Sequence, residues 1–440
     1  MKKTIFLSAI LSAMTLTGMA QSGTNSPYSQ FGIGVLSDQS QGANRGMGGV
    51  GIALRNGNRV NSLNPASYSA IDSLSMVFDA GISGQITNFK EGGRKLNANN
   101  ADLEYAVAAF RIAPHFGASV GLLPLSNIGY NYNSSYPVND VTSSGIANTT
   151  MTETHNGSGG LHQAYVGLGW RAFRQLSVGV NFSYLWGSYN KSVSAQSSDA
   201  YVSTVTKTYN ATVNSYKLDF GVQWEQPLRN NNFVTLGATL GLGHKLHGDS
   251  ECIISNTDTQ LGTSSVDTLT LKNGLEIPMT IGVGLAWRHA DRYMVTVDYS
   301  LQRWGDLGMP ASVDNNGSYD YAVRKGLLND RHKIAVGGEW TPNAYSTKFY
   351  NRMNYRVGAS FATPYYKVNG ADGPKEYSVS AGFGLPITNS NTSRAAIKSV
   401  LNISGQWTRQ SLPGMITENT FRINIGFTFN ERWFAKWKFN

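Results

Sequence analysis

The chain has 440 residues, with 36 Lys and Arg, 27 Asp and Glu and a formal charge of +9. Charged residues make up 14% and aromatic residues 11%, with 48 Gly and 22 Tyr. This is too aromatic for intrinsic disorder, shows neither a heptad nor a collagen period, and has no Lys/Arg run of the kind that marks a nucleic-acid footprint.

The first twenty residues read as an export signal. Lys2 and Lys3 precede a mostly apolar stretch from Ile5 to Leu16, and Gly18-Met19-Ala20 supplies small residues for cleavage before Gln21. The apolar stretch is too short to span a membrane as a helix, and no later stretch reaches 18 apolar residues. A chain that is exported and still spans a membrane must then do so as a closed β-barrel, in which every backbone group is paired.

Residues 21–72 do not sustain any period. Gly32, Gly34, Gly42, Gly46, Gly48, Gly49, Gly51 and Gly57 punctuate them, with Leu36, Val50, Ile52 and Leu54 between. Small residues that pack tightly, with a few apolar anchors, suit a plug inside a lumen, and the expectation is an N-terminal hatch over 21–72.

From Ser73 onward apolar and polar residues alternate. Leu176, Val178, Val180, Phe182, Tyr184 and Trp186 share one parity, opposite Ser177, Gly179, Asn181, Ser183, Leu185 and Gly187. The pattern returns from Ile277 to Trp287, from Tyr293 to Leu301 and from Phe421 to Phe429. Alternation marks strands with one apolar face, whether in a soluble sandwich or in a barrel. Strand lengths near ten residues, aromatic strand ends, and short turns alternating with long polar loops favour a barrel in lipid. The expected short turns are Arg174-Gln175, His289 to Arg292 and Thr341-Pro342. The expected long loops are Ser134 to Asn156, Lys191 to Lys207, Gly248 to Lys272 and Gly308 to Asn329. The fold class is therefore all-β, a transmembrane antiparallel β-barrel of about fourteen strands. Expected strand cores begin near Ser75, Leu103, Phe116, Leu161, Leu176, Thr208, Phe233, Leu275, Tyr293, Arg331, Tyr350, Glu376, Ser399 and Thr420. The chain divides into a signal peptide (1–20), hatch (21–72), barrel (73–429) and a periplasmic tail (430–440).

Chemical motifs are absent or out of context. Gly46-x-Gly48-x-x-Gly51 follows no long strand and opens no apolar helix, so it is not a dinucleotide fingerprint. Ser119 in Gly117-Ala118-Ser119-Val120-Gly121 lies inside an alternating strand and not at a nucleophile elbow. His244 and His247 fall on opposite faces of a strand, and Cys252 stands alone. No enzyme chemistry, no cofactor and no metal site is expected.

Gly46-Met47-Gly48-Gly49-Val50-Gly51, followed by Asn64-Pro65-Ala66, resembles the hatch of the FadL-type outer-membrane transporters of long-chain fatty acids and other hydrophobic compounds. Ile277 to Trp287 with Asp298-Tyr299 and Trp304-Gly305-Asp306, and His332 to Pro342, look similar too. The chain departs from the family in an aromatic, basic tail containing Trp433, Phe434, Lys436 and Trp437. The resemblance implies a fourteen-stranded barrel in the outer membrane of a Gram-negative bacterium. It implies a passive transporter that takes in a hydrophobic or amphipathic ligand and releases it sideways to outer-membrane lipid at a kink in the third strand. Pro124 is the candidate for that opening, since proline cannot donate to a ladder. Strand parity places Asp298, Glu339, Arg356 and Arg422 in the lumen, where they pair with one another or where Arg356 or Arg422 meets a ligand carboxylate. The alternative is a non-transporting subunit of a larger outer-membrane secretion or assembly complex, with protein partners docking on the tail.

Overall fold

The computed structural model describes residues 23–432 apart from 74, 143–144, 259, 316–317 and 388–398. The signal segment and Trp433, Phe434, Lys436 and Trp437 lie outside the described residues.

Fourteen antiparallel strands close into one barrel. They are β1 (Ser75–Glu91), β2 (Arg94–Ala113), β3 (Phe116–Thr142), β4 (Gly145–Arg171), β5 (Leu176–Ser197), β6 (Thr204–Leu228) and β7 (Asn232–Gly241). The circuit continues through β8 (Thr280–His289), β9 (Tyr293–Gln302), β10 (Arg331–Trp340), β11 (Asn354–Ala362), β12 (Lys375–Pro386), β13 (Val400–Ser411) and β14 (Thr417–Arg432). Each strand pairs with the next, and β14 returns to β1 from Ser75↔Arg432 to Lys90↔Thr417.

Alternation decides which face meets lipid. Val166, Leu168 and Trp170 on β4, Val283, Leu285 and Trp287 on β8, and Val295 and Val297 on β9 all point outward and are exposed. An apolar belt running round the whole barrel has no place in water, which removes the soluble sandwich. At the end with the short turns the belt finishes in Phe116, Trp170, Trp224, Trp287, Tyr293 and Trp340, all exposed, as a girdle at a membrane interface does. Many inward positions are small or polar, as at Ser177, Asn181, Thr235, Thr296 and Ser380, with charged and tyrosine side chains among them.

The four expected long loops are largely strand. β3 and β4 each run 27 residues, where about ten would cross a bilayer. At about 3.3 Å per residue each extends ~90 Å, so most of their length stands outside the membrane. Residues Asp249–Asp258 and Thr263–Lys272 form a hairpin that extends β6 outward, and Gly308–Asn315 pairs with Ser318–Lys325. These segments are rich in Ser, Thr, Asn and Asp, and their apolar residues, such as Cys252 and Ile254, form runs too short to be read as strands. Two other boundaries differ for a local reason. β2 starts at Arg94 because its first half is polar, and β8 starts at Thr280 because Pro278 interrupts the run from Ile277. The Thr341-Pro342 turn is a longer connection containing a helical turn at Phe349–Arg352.

Candidate functional site

Residues 23–72 fill the lumen as a hatch built from short turns. Asn64 caps the 3-10 turn Pro65–Ala70, its side-chain oxygen accepting from the Ala66 N–H at 3.1 Å. Its Nδ2 donates to the Ile52 carbonyl at 2.8 Å and toward the Val222 carbonyl of β6 at 3.2 Å. Asn64 is 0% exposed, and Pro65 and Ala66 are buried beside it.

The hatch meets the wall backbone to backbone. A Cβ on Gly179 of β5 would lie 2.4 Å from the Pro65 carbonyl carbon, and one on Gly237 of β7 would lie 2.2 Å from the Ile52 oxygen. On Gly358 of β11 it would lie 2.1 Å from the Met47 carbonyl carbon. Wall glycines are therefore places where any side chain would push the hatch away. Within the hatch, Gly48 has φ +75 and donates its N–H to Ser380 Oγ at 2.9 Å, Gly46 lies against Arg356, and Gly51 faces Asp298.

Buried charges then fix the hatch in place. Asp298 Oδ2 accepts the N–H groups of Gly51 and Ile52 at 2.6 and 2.8 Å. Arg45, 2% exposed, pairs with Glu104 of β2 at 2.9 Å and donates to Asn424 of β14 at 3.2 Å. Arg59 pairs with Glu339 of β10 at 2.8 Å, and Glu339 also receives Arg356 at 2.6 Å. Arg356 donates onward to Asn402 at 2.7 Å. Three of the four lumen charges seen in the sequence thus hold the hatch or its neighbours, and Arg356 is committed to Glu339 and Asn402. Arg422 differs. It donates to Gln85 Oε1 at 2.7 Å, stands 3.9 Å from Glu104, and faces a cavity. Sequence reading did not single out Arg45, Arg55 or Arg59; their signal is cations in a Gly-rich segment, matched by inward carboxylates at Glu104, Glu225 and Glu339.

That cavity, about 340 Å³, lies between the hatch and the long-loop end. Asp38, Lys217, Asp219, Lys333, Glu418 and Arg422 line it together with Leu123 and Leu125. Above it sits an apolar cap in which Tyr28 and Ile33 of the hatch pack with Tyr130, Trp304, Tyr365 and Tyr366. Burial would raise the Asp38 carboxyl, but the charges of Lys333 and Arg45 and hydrogen bonds from Ser40 outweigh it and bring it down to about 2.

One seam of the barrel is incomplete. The β2–β3 ladder runs from Ala113↔Phe116 to Ala106↔Leu122 and goes no further among the described residues, although both strands continue. Two residues on is Pro124, where the β3–β4 register shifts between Pro124 and Ser126. Beyond that point β3 pairs with the hatch, Val35↔Asn127 and Leu36↔Ser126. The Ser37 N–H donates to the Leu125 carbonyl at 3.0 Å. Asn127 Nδ2 reaches Asp102 Oδ2 of β2 across the seam at 3.2 Å, and Gln85 Nε2 donates to the Gly23 carbonyl at 2.9 Å. Gly23 and Val35 to Ser37 of the hatch therefore lie along the inside of the splayed seam.

A barrel of this count, filled by an N-terminal hatch, can be compared with known proteins. A family model described as BamG matches residues 1–440. The chain belongs to the BamG family. Comparison with curated sequences gave no match. Among solved structures, the Ralstonia pickettii toluene transporter TbuX superposes with a TM-score of 0.60 at 14% identity, covering 89% of this chain and 98% of that one. A Pseudomonas aeruginosa FadL homologue gives 0.60 at 12% identity, covering 90% and 99%. The CymD monoaromatic hydrocarbon channel gives 0.59 at 13% identity, covering 92% and 100%. At such identities the likeness is one of fold, and the fold of this BamG-family chain is FadL-type.

Proposed function

We propose that this chain is a passive outer-membrane channel for a small hydrophobic or amphipathic molecule, released sideways between β2 and β3. The observation that carries the reading is the β2–β3 ladder ending at Leu122, two residues before Pro124. The similar structures named as toluene and monoaromatic hydrocarbon channels support the same class of cargo. The lining refines the ligand. A bare alkyl chain would leave Asp38, Lys217 and Arg422 without water, whereas an amphipath presents a polar end to them. Of the two arginines considered for a ligand carboxylate, Arg422 faces the cavity and takes that role; a long-chain fatty acid is one such ligand. Val35 to Ser37 act as the gate, since a ligand leaving by the seam must displace them from β3. The mature chain begins at Gln21 and residues 21–72 are the hatch domain; the barrel domain runs from 73 past the expected bound at 429 to Arg432, because β14 stays paired with β1 to that residue.

The test is a disulfide across the seam, Asp102→Cys with Asn127→Cys in a Cys252→Ala background, with uptake of labelled toluene and oleate followed in proteoliposomes. Oxidation should stop uptake and reduction restore it. Equal uptake in both states rejects lateral release.

A second reading has its own support: the lumen is shut by the apolar cap at one end and the ion-paired hatch at the other. Under it the barrel carries nothing and serves as a subunit of a larger outer-membrane assembly, with Trp433, Phe434, Lys436 and Trp437 as the docking strip. Purification with and without residues 433–440 separates the two; partners recovered at fixed stoichiometry only with the tail present would favour the subunit.

A further inference from the structure

At the short-turn end of the barrel, positive charge collects on one arc. Arg55 of the hatch has a nearly buried guanidinium that hydrogen-bonds to Ser177 at 2.8 Å and Ser69 at 3.1 Å, both neutral. Its nearest carboxylate, Glu225 of β6, is 3.9 Å away. Arg288 of β8 approaches the other oxygen of Glu225 only to 3.7 Å. Arg171, at the end of β4, stands opposite Ser177 in the β4–β5 ladder, on the inward parity, and makes no ion pair among the described residues. Two guanidinium groups thus share Glu225, neither at close range, and the third has no carboxylate partner among the described residues.

The surrounding turns add to the imbalance. Arg174 in the β4–β5 turn, Arg229 in the β6–β7 turn and Arg292 in the β8–β9 turn are all exposed. A further carboxylate there, Asp291, is exposed and 3.9 Å from Arg288. Among the described residues of the β4–β9 arc, these six arginines face the two carboxylates Glu225 and Asp291. Burial and the neighbouring Arg171 charge together bring the Arg55 guanidinium down to about 10, the effect of under-compensated cations. Elsewhere in the lumen the contrast is plain, since Arg45, Arg59 and Arg356 each hold a carboxylate within 3 Å.

Depth indicates what completes the site. Trp170, Trp224, Trp287 and Tyr293 lie on the lipid face of the same strands at the same end, the level at which aromatic belts meet lipid headgroups. In outer-membrane barrels the short turns are periplasmic, so Arg55, Arg171 and Arg288 lie at the periplasmic mouth of the lumen and the turn arginines stand between them and the phospholipid leaflet. Guanidinium forks match the oxygens of phosphate, and two or more of them hold one phosphate better than any single pair.

We propose that Arg55, Arg171 and Arg288, flanked by Arg174, Arg229 and Arg292, form a binding site for a phosphate group, supplied by an anionic phospholipid of the periplasmic leaflet. The site is separate from the cavity and the seam, so it stands or falls independently of the transport reading.

The full chain in detergent is incubated with equal amounts of dioleoylphosphatidylglycerol and dioleoylphosphatidylcholine and analysed by native mass spectrometry. The wild type should retain the anionic lipid in about tenfold preference, and Arg171→Gln with Arg288→Gln should reduce the preference to near parity. A second variant, Arg174→Gln with Arg229→Gln and Arg292→Gln, changes only exposed turn residues and should lose part of the preference. Excess inorganic phosphate distinguishes the source: displacement of the lipid shows a site open to soluble phosphates as well, and retention shows that the lipid is required. Parity in the wild type, or undiminished preference in both variants, overturns the proposal.

Discussion

Asp298 on the barrel wall and Gly51 in the hatch are joined by a 2.6 Å hydrogen bond from the Gly51 N–H, and the same carboxylate oxygen takes the Ile52 N–H as well. One wall residue thus satisfies two consecutive backbone donors that the hatch turn leaves free. Asp298→Asn keeps the shape and removes the charge, and hydrogen bonds to a charged group are worth about 1.5–3 kcal/mol. The expected outcome is an intact barrel with a hatch cleaved faster by protease around residues 46–54; unchanged cleavage would show that Asp298 does not hold it.

Wall glycines give a steric prediction. Gly179→Val would place a Cβ 2.4 Å from the Pro65 carbonyl carbon, against the backbone of the Pro65–Ala66 peptide, with no flexible tip that could yield. Overpacking of this kind costs about 1–3 kcal/mol. The variant should still close its barrel, judged by heat-modifiable mobility in gels, while amides of residues 64–70 exchange hydrogen faster. The same substitution at Gly84, which has nothing within 4 Å, should be silent.

Breaking the Arg356–Glu339 pair should be costly until Arg59 is removed with it. Arg356→Ala leaves Glu339 with Arg59 and strands Asn402, and loss of one partner of a buried pair costs about 3–5 kcal/mol. Arg356→Ala together with Glu339→Ala leaves Arg59 as the lone charge and should not recover stability, whereas adding Arg59→Ala should recover part of it. Denaturant midpoints of the three variants check the order.

Acid should loosen the hatch late. The Asp38 carboxyl is held at about 2, below its unfolded value near 3.9. A depressed folded value means that its stabilisation is fully present above about pH 4 and is lost as pH falls through 2. Proteolysis of the hatch by an acid-tolerant protease should therefore change little between pH 7 and 4 and accelerate only below. Acceleration already at pH 5 would assign the tether to another group.

How much of this could be read in the residues depended on whether a face meets lipid. β8 and β9 were legible because Val283, Leu285, Val295 and Val297 alternate with small or polar residues. The outer halves of β3 to β6 were not, since Asn131, Thr154, Ser192 and Thr206 stand among Ser, Thr and Asn, and no lipid-facing apolar row runs through them. Pro124 marked a break in pairing, but the strand that pairs with β3 beyond it, Val35–Leu36, is too short to announce itself. The lumen charges were placed by parity alone. Their partners in the hatch, Arg45 and Arg59, sit in a segment without period, so no register could bring them to Glu104 and Glu339.

The ladder that closes the barrel, Ser75↔Arg432 to Lys90↔Thr417, joins the first strand to the last. The hatch precedes both and touches the wall with no side-chain clearance at Gly179, Gly237 and Gly358. With a packed cap above and ion pairs below, a finished barrel offers no route by which the hatch could enter afterwards. Order of assembly is thereby built into the chain: the filling is laid down while the sheet is still open, and the first and last strands are sewn together around it.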